Sequence, residues 1–282
     1  MEKIKWGIIG PGNIANNFAD GLTNSYSGQL VSIASKSEDR RKNFGDKYDI
    51  HPDFRFDSYE DIINSEHIDA IYISTPHTLH AQWTIKAAGK GKHILCEKPG
   101  AINFNEGKKI IDAVREAGVF YMEGFMYRCH PQIPKLVDII KNKIIGDVIS
   151  VETSFGFDMG KTIPDHRLFN KNLAGGGILD VGLYPISFSR LIAGVATGDK
   201  FSEPKFLDAE ATIGETGVDE IAHANLEFKN GIKAKVSTAI RETMKNNAVI
   251  IGSKGKIELP DPWMPGRDVC QYNAKIITFN HQ

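Results

Sequence analysis

The sequence predicts a two-domain α/β protein: a doubly wound parallel sheet over residues 1–123, then an α+β domain over 124–282 with an open, mostly antiparallel sheet. Three observations carry this. Strand-like and helix-like segments alternate through the first 120 or so residues; a glycine-rich turn joins the first strand to the first helix; and beyond Glu123 the apolar period changes to two.

The first strand spans residues 4–9, an apolar run that leads into Gly10-Pro11-Gly12-Asn13-Ile14-Ala15 and a helix to about Thr23. Between a strand and a helix, Gly10 permits a tight turn and Gly12 lets backbone approach a pyrophosphate. Ala15 lets the helix pack closely on the strand. A second strand, residues 30–34, ends in Ser35-Lys36-Ser37, where an NAD site ordinarily carries a carboxylate for the ribose hydroxyls. A hydroxyl and a cation there, with Arg40 one turn on, favour a 2'-phosphate and thus NADP over NAD. Ser58-Tyr59-Glu60-Asp61 has the form of a capping box. The third strand, residues 70–74, ends in Thr75-Pro76-His77, and the helix after it carries His80 and Trp83 and closes in Gly89-Lys90-Gly91.

His93 to Pro99 is the most informative stretch. A short buried strand there ends in Glu97 and Lys98, and ligands of an open parallel sheet bind beyond the carboxyl ends of its strands. A solvated Lys-Pro loop is the plainer alternative, and the other polar strand ends weigh against it. An amphipathic helix over residues 105–117, stopped by Gly118, and a strand over 119–122 complete the domain.

The second domain opens on an aromatic and charged cluster, Glu123 to Pro131, followed by a helix over residues 132–143. Alternation places Val151, Thr153, Phe155 and Phe157 on one strand face, and Ala222, Ala224, Leu226 and Phe228 on another. Asn230-Gly231 predicts a hairpin into residues 232–237, and further strand runs lie at 205–213, 248–251, 256–259 and 275–279. Between the strand over residues 148–157 and that over 205–213, Gly175-Gly176-Gly177 precedes a helix carrying Asp180 and Tyr184, whose spacing of four puts them on one helical face.

Composition narrows the function. Hydrophobic content is 41% and charged content 24%, with 34 basic and 35 acidic residues, a balance unlike a nucleic-acid-binding surface. No uninterrupted apolar run reaches the ~18 residues of a membrane span, and no secretory signal pattern opens the chain. Cys96, Cys129 and Cys270 are far apart and lack metal-ligand spacing, so reduced thiols in the cytoplasm and no metal are expected. The expected partner is a small molecule.

Taken jointly, Gly10-x-Gly12-x-x-Ala15, Thr75-Pro76-His77-x-x-His80, Gly91-Lys92-His93-x-x-Cys96-Glu97-Lys98-Pro99 and Gly175-Gly176-Gly177-x-Leu179-Asp180-x-Gly182-x-Tyr184 resemble the Gfo/Idh/MocA oxidoreductases. The block from Met122 through Arg128 and His130 is similar to the branch of dimeric dihydrodiol dehydrogenase and NADP-dependent xylose dehydrogenase. The resemblance implies an N-terminal Rossmann domain and a C-terminal substrate-binding and dimerisation domain. It implies cofactor contacts from Gly10, Gly12, Asn13, Ile14, Ser35, Lys36, Arg40, Thr75, Pro76, His77, His80, Glu97 and Lys98. Lys98, Asp180 and Tyr184 are the implied catalytic group, with Arg128, Asp158 and Arg167 added for substrate hydroxyls. Family members ordinarily add a further strand and helix beyond the point where this sequence stops.

The expected reaction is hydride transfer between a nicotinamide and a secondary alcohol or ketone of a sugar, polyol or dihydrodiol. Tyr184 is the expected acid/base. A tyrosine acting as base near neutrality needs its pKa of about 10 lowered, a shift that a lysine ammonium such as Lys98 can supply. Two alternatives stand beside this: a non-catalytic nucleotide-binding regulator and an NAD-dependent glycosidase. A homodimer through the open sheet face is also expected, because two helical segments can cover only one face.

Overall fold

The computed structural model describes residues 2–266 and 274–279, and the chain divides into two compact units, Met1–Gly124 and Phe125–Gln282. The first unit runs β1 (Ile4–Ile9), α1 (Asn13–Thr23), β2 (Gly28–Ala34), α2 (Glu38–Lys47), β3 (Arg55–Phe56), α3 (Tyr59–Asn64), β4 (Ala70–Ile73), α4 (His80–Ala88), β5 (His93–Cys96), α5 (Phe104–Ala117) and β6 (Tyr121–Glu123). Its sheet has the order β3-β2-β1-β4-β5-β6 with every pair parallel. Strand order therefore reverses between β1 and β4, the place where open α/β sheets bind ligands.

Local chemistry sets these boundaries. The apolar runs of β1 and β4 end in fully buried Ile8, Ile9, Ile71 and Ile73, as strands covered on both faces require. Ser37, Ser58 and Asn103 each accept a backbone N–H at the start of α2, α3 and α5. Gly118, at φ 66°, ends α5, and the Val119 N–H then donates to Val114 O at 3.2 Å. That helix-ending bond occupies Val119, so β6 begins at Tyr121 instead of the expected 119. The two-residue β3 is too short to leave a periodic signal.

The second unit contains α6 (Gln132–Lys141), β7 (Val148–Gly156), α7 (Leu183–Ala196), β8 (Phe206–Ile213), β9 (Asp219–Glu227), β10 (Lys233–Ala239), β11 (Ala248–Gly252), β12 (Gly255–Leu259) and β13 (Lys275–Thr278). The sheet order is β13-β12-β11-β7-β10-β9-β8, antiparallel except for the β7–β10 pair. Asn230 and Gly231 both take positive φ, 68° and 76°, in the connection between β9 and β10, as the hairpin prediction requires.

One sheet face packs on α6 and α7 through Leu136, Ile140, Tyr184, Phe188, Val151 and Val236. Its counterpart on β9 and β10 exposes His223, Asn225, Glu227, Lys233 and Lys235. Lys171–Ala196 has the length and hydropathy of a membrane span, yet 67% of its apolar window is buried within the protein. Burial of that kind marks a core helix. Cys270 lies outside the described residues.

Candidate functional site

In the first unit, polar groups gather at the carboxyl ends of β1, β2, β4, β5 and β6. Gly10 has φ 88°, and a Cβ on it would lie 3.1 Å from Ser74 O, so only glycine fits. Ser74, just past β4, donates through Oγ to Gly10 O at 2.8 Å and holds the turn. A Cβ on Gly12 would meet nothing within 4 Å, so the loop opens to space there. The N-terminus of α1 carries no side-chain cap and no acidic residue in its first turn, as is also true of α4, whereas α2, α3 and α5 are capped. Exposed N–H groups at Asn13 and Ile14 with this uncompensated helix dipole suit a pyrophosphate. The residues present therefore fit a dinucleotide.

At the end of β2, Ser35 is buried and its backbone is held from two sides. Its N–H donates to Phe56 O at 3.0 Å, and its carbonyl accepts from Arg41 Nη1 at 2.7 Å. Ser35 Oγ accepts from the Ser37 N–H at 3.2 Å. Lys36 and Arg40 are exposed, and Lys36 Nζ lies 6.0 Å from the centre of the Tyr59 ring. Arg41 adds a further cation beyond the sequence-read residues, and the neutral Tyr59 ring lies beside Lys36.

The loops after β4 and β5 are joined by His80, which is fully buried. Its Nδ1 lies 2.7 Å from Pro99 O and its Nε2 2.8 Å from Thr75 O. Burial pushes the imidazole below its ordinary pKa, while the two carbonyls pull the other way. With both nitrogens engaged inside the unit, His80 ties the Thr75 and Pro99 backbones together. Among the described residues the buried Thr75 hydroxyl has no hydrogen-bond partner, which leaves a polar group for a ligand. His77 lies in the short turn His77–Leu79, its ring 5.8 Å from that of His80.

Glu97 Oε1 accepts from the Tyr72 hydroxyl at 2.6 Å, and its Oε2 accepts from the Lys98 N–H at 3.3 Å. The Lys98–Pro99 peptide is cis. Glu123 at the end of β6 accepts from the Gly100 N–H at 2.7 Å, fixing the chain just past Pro99. Burial raises the Glu123 pKa, opposed by the Gly100 N–H and reinforced by Glu97. Burial also pushes the Cys96 thiol well up, so it is no nucleophile.

Glu123 gives a pH-dependent prediction. Because its folded pKa is raised, the native state binds more protons than the unfolded chain from about pH 4.3 up to the raised value, and stability falls across that window as pH rises. Glu123→Gln keeps an acceptor for Gly100 without a charge. Urea unfolding should find it more stable than wild type at neutral pH and indistinguishable from it at pH 4. An equal difference at both pH values contradicts the assignment.

In the second unit, Asp180 and Tyr184 are both buried. Residues Ile178–Gly182 form a π-turn in which the Leu183 N–H donates to Ile178 O, so the expected α-helical spacing of four does not describe this segment. Arg167 Nη1 donates to Asp180 Oδ1 at 2.9 Å, bringing two predicted residues together. Phe125, Tyr127, Phe155 and Trp263 surround the Tyr184 ring at centroid distances of 5.4 to 6.1 Å. Trp263 is itself fixed by its Nε1–H donating to Ser154 O at 2.8 Å. Arg128 lies 4.9 Å over the Phe201 ring, and Asp158 Oδ1 accepts from the Gly160 N–H at 2.8 Å. These contacts give both residues structural partners of their own.

Sequence reading missed Ser74, Tyr72, Glu123 and Arg41 as parts of this arrangement. Glu123 was findable by the argument used for Glu97, a carboxylate at a strand end. Tyr72 carried a weaker signal, a phenol inside an apolar strand that needs a hydrogen-bond partner.

Comparison with known proteins agrees with this geometry. The family model described as "Oxidoreductase family, NAD-binding Rossmann fold" matches residues 4–125, and that of the GFO/IDH/MocA C-terminal domain matches residues 133–258. The chain is 34% identical over 264 residues to trans-1,2-dihydrobenzene-1,2-diol dehydrogenase of Xenopus tropicalis, covering 93% of this chain and 77% of that protein. It is 33% identical over 237 residues to D-xylose 1-dehydrogenase (NADP(+)) 2 of Haloferax volcanii, covering 83% and 69%. The crystal structure of aldose-aldose oxidoreductase from Caulobacter crescentus complexed with glycerol has a TM-score of 0.83 at 27% identity, over 93% of this chain and 78% of that one. The chain belongs to the Gfo/Idh/MocA family of NAD(P)-dependent oxidoreductases.

Proposed function

We propose that this protein is a dehydrogenase or reductase that interconverts a secondary alcohol and a ketone on a sugar, polyol or dihydrodiol. The observation that carries this is the uncapped N-terminus of α1 opening past Gly12 at the switch point of the first sheet. Gly10, Gly12, Asn13 and Ile14 would hold the pyrophosphate, and Thr75, Pro76, His77 and Glu97 would line the cofactor's path. When bound, a nicotinamide supplies or accepts the hydride. Tyr184 exchanges the proton with the carbinol oxygen, and Lys98 contributes positive charge that favours the oxyanion forms. Asp180, steadied by Arg167, orients a substrate hydroxyl. Arg128 and Asp158 are further candidates for substrate hydroxyls. The substrates named for the similar dihydrodiol and xylose dehydrogenases set the first compounds to try. Turnover of a diol or an aldose with matching change in nicotinamide absorbance supports the reading.

NADP is the preferred cofactor in this reading, because Lys36 and Arg40 offer cations beside Ser35. Lys36→Ala should weaken NADP by about 1 to 2 kcal/mol, or five- to thirtyfold, and leave NAD within twofold. Equal weakening of both in titrations contradicts a 2'-phosphate contact.

The open face of the second sheet is polar, and such a surface can pair with a copy of itself. Lys233 and Lys235 on β10 lie beside Asn225 and Glu227 on β9, so both signs of charge are present. A homodimer through this face, in the cytoplasm, completes the proposal. Light scattering over a micromolar dilution series should report the dimer, and a monomer at every concentration contradicts it.

A further inference from the structure

We infer that Asp219, at the start of β9, is a positioning residue for the reaction: its carboxylate anchors the turn that carries Asp180 and leads into Tyr184. The inference rests on the proton-exchange role proposed for Tyr184, though its structural half stands without it. Asp219 Oδ2 accepts from the Ile178 N–H at 2.6 Å, and the nearby Gly177 N–H favours the charged carboxylate. Ile178 carries the first N–H of the helical segment, which otherwise lacks a side-chain cap. A half-buried carboxylate therefore occupies the position that a local Ser, Asp or Asn fills in ordinary helices, reached here from 41 residues away.

The glycines before the turn are shaped by this contact. Gly176 has φ 109°, and a Cβ on it would lie 2.1 Å from Asp219 Oδ1. The glycine run thus lets backbone close on the Asp219 carboxylate, a role within the protein that requires no ligand. From the other side, Thr238 Oγ1 donates to Gly177 O at 3.3 Å, and a Cβ on Gly182 would lie 2.9 Å from Thr238 Cγ2. The π-turn is a sparsely populated conformation that persists where its surroundings hold it. Asp180 lies two residues past the anchored Ile178 N–H and Tyr184 six past it, so slack at Ile178 passes directly to both. Burial raises the Asp219 pKa while the donated N–H groups restrain it.

The test compares Asp219→Ala with Asp219→Asn, which keeps a carbonyl acceptor for Ile178. Amide hydrogen exchange should accelerate at least tenfold over residues 178–184 in Asp219→Ala, with β10 and β11 unchanged and partial protection restored in Asp219→Asn. With a substrate that turns over, kcat of Asp219→Ala should fall ten- to a hundredfold, while the NADP dissociation constant stays within twofold. In a Tyr184→Phe background the same substitution should cost less than twofold, since both changes then act on one step. Unchanged exchange over 178–184 overturns the anchoring, and general acceleration across the unit reduces Asp219 to a fold residue and overturns positioning. Additive losses in the double variant also overturn it. Wild-type turnover in Tyr184→Phe alone defeats the proton-exchange reading instead, and the exchange experiment still decides the anchor. If Asp219→Ala does not fold, Asp219→Asn carries the comparison at a smaller expected loss.

Discussion

Tyr184→Phe is expected to lower kcat by roughly 10² to 10⁴, the range of a positioned general acid or base, and to leave the NADP dissociation constant within twofold. The substitution removes one hydroxyl and keeps the ring, and the ring is what Phe125, Tyr127, Phe155 and Trp263 pack against. The aromatic pocket therefore stays filled, so the loss reports on the proton rather than on folding. Under the proposed reaction, Lys98→Ala should lower the same parameter. Single-turnover kinetics separates the chemical step from cofactor binding. Wild-type turnover in Tyr184→Phe ends the assignment.

The second large effect is on stability. His80→Ala should cost about 3 kcal/mol or more, read as a lower urea midpoint with an unchanged slope. The imidazole is fully buried and spans Thr75 O and Pro99 O; as a neutral ring it donates to one of them, so its removal leaves a cavity and one carbonyl without its donor. The unsatisfied carbonyl costs about 1 to 3 kcal/mol, and the cavity adds to it. NADP binding should weaken as well, because the ring joins two loops proposed to contact the cofactor. A cost below about 1 kcal/mol shows that the loops hold each other without it.

The first unit was legible almost completely in the sequence because its information is local. Apolar runs of four to six residues, the Gly10 turn, and Ser37, Ser58 and Asn103 before helices each act within a few positions. The second sheet was legible as strands, since alternation such as Ala234, Val236 and Thr238 against Lys233 and Lys235 survives in the fold. Its strand order was not, because pairing β7 with β10 in parallel depends on contacts across some 80 residues.

The candidate site divides the same way. Gly10, Ser35, Glu97, Lys98, Asp180 and Tyr184 stand out as polar or glycine positions beside apolar elements. Their supports stand out less. Ser74, Tyr72, Glu123 and Asp219 act through contacts distant in sequence; Glu123 and Tyr72 carry a signal as a strand-end carboxylate and a phenol within an apolar strand, but nothing in the neighbours of Ser74 and Asp219 marks them. The π-turn at Ile178–Gly182 was hidden too, because its register is set by the opposing Asp219 and Thr238 and not by its own spacing.

The most direct test of the central claim is nicotinamide absorbance during incubation of the wild-type protein with NADP and a panel of aldoses, polyols and vicinal diols, and with NADPH and the corresponding ketones. A net, substrate-dependent change that Tyr184→Phe abolishes is the expected result. Cofactor binding without turnover anywhere in the panel, or product formed with no net change in absorbance, contradicts it.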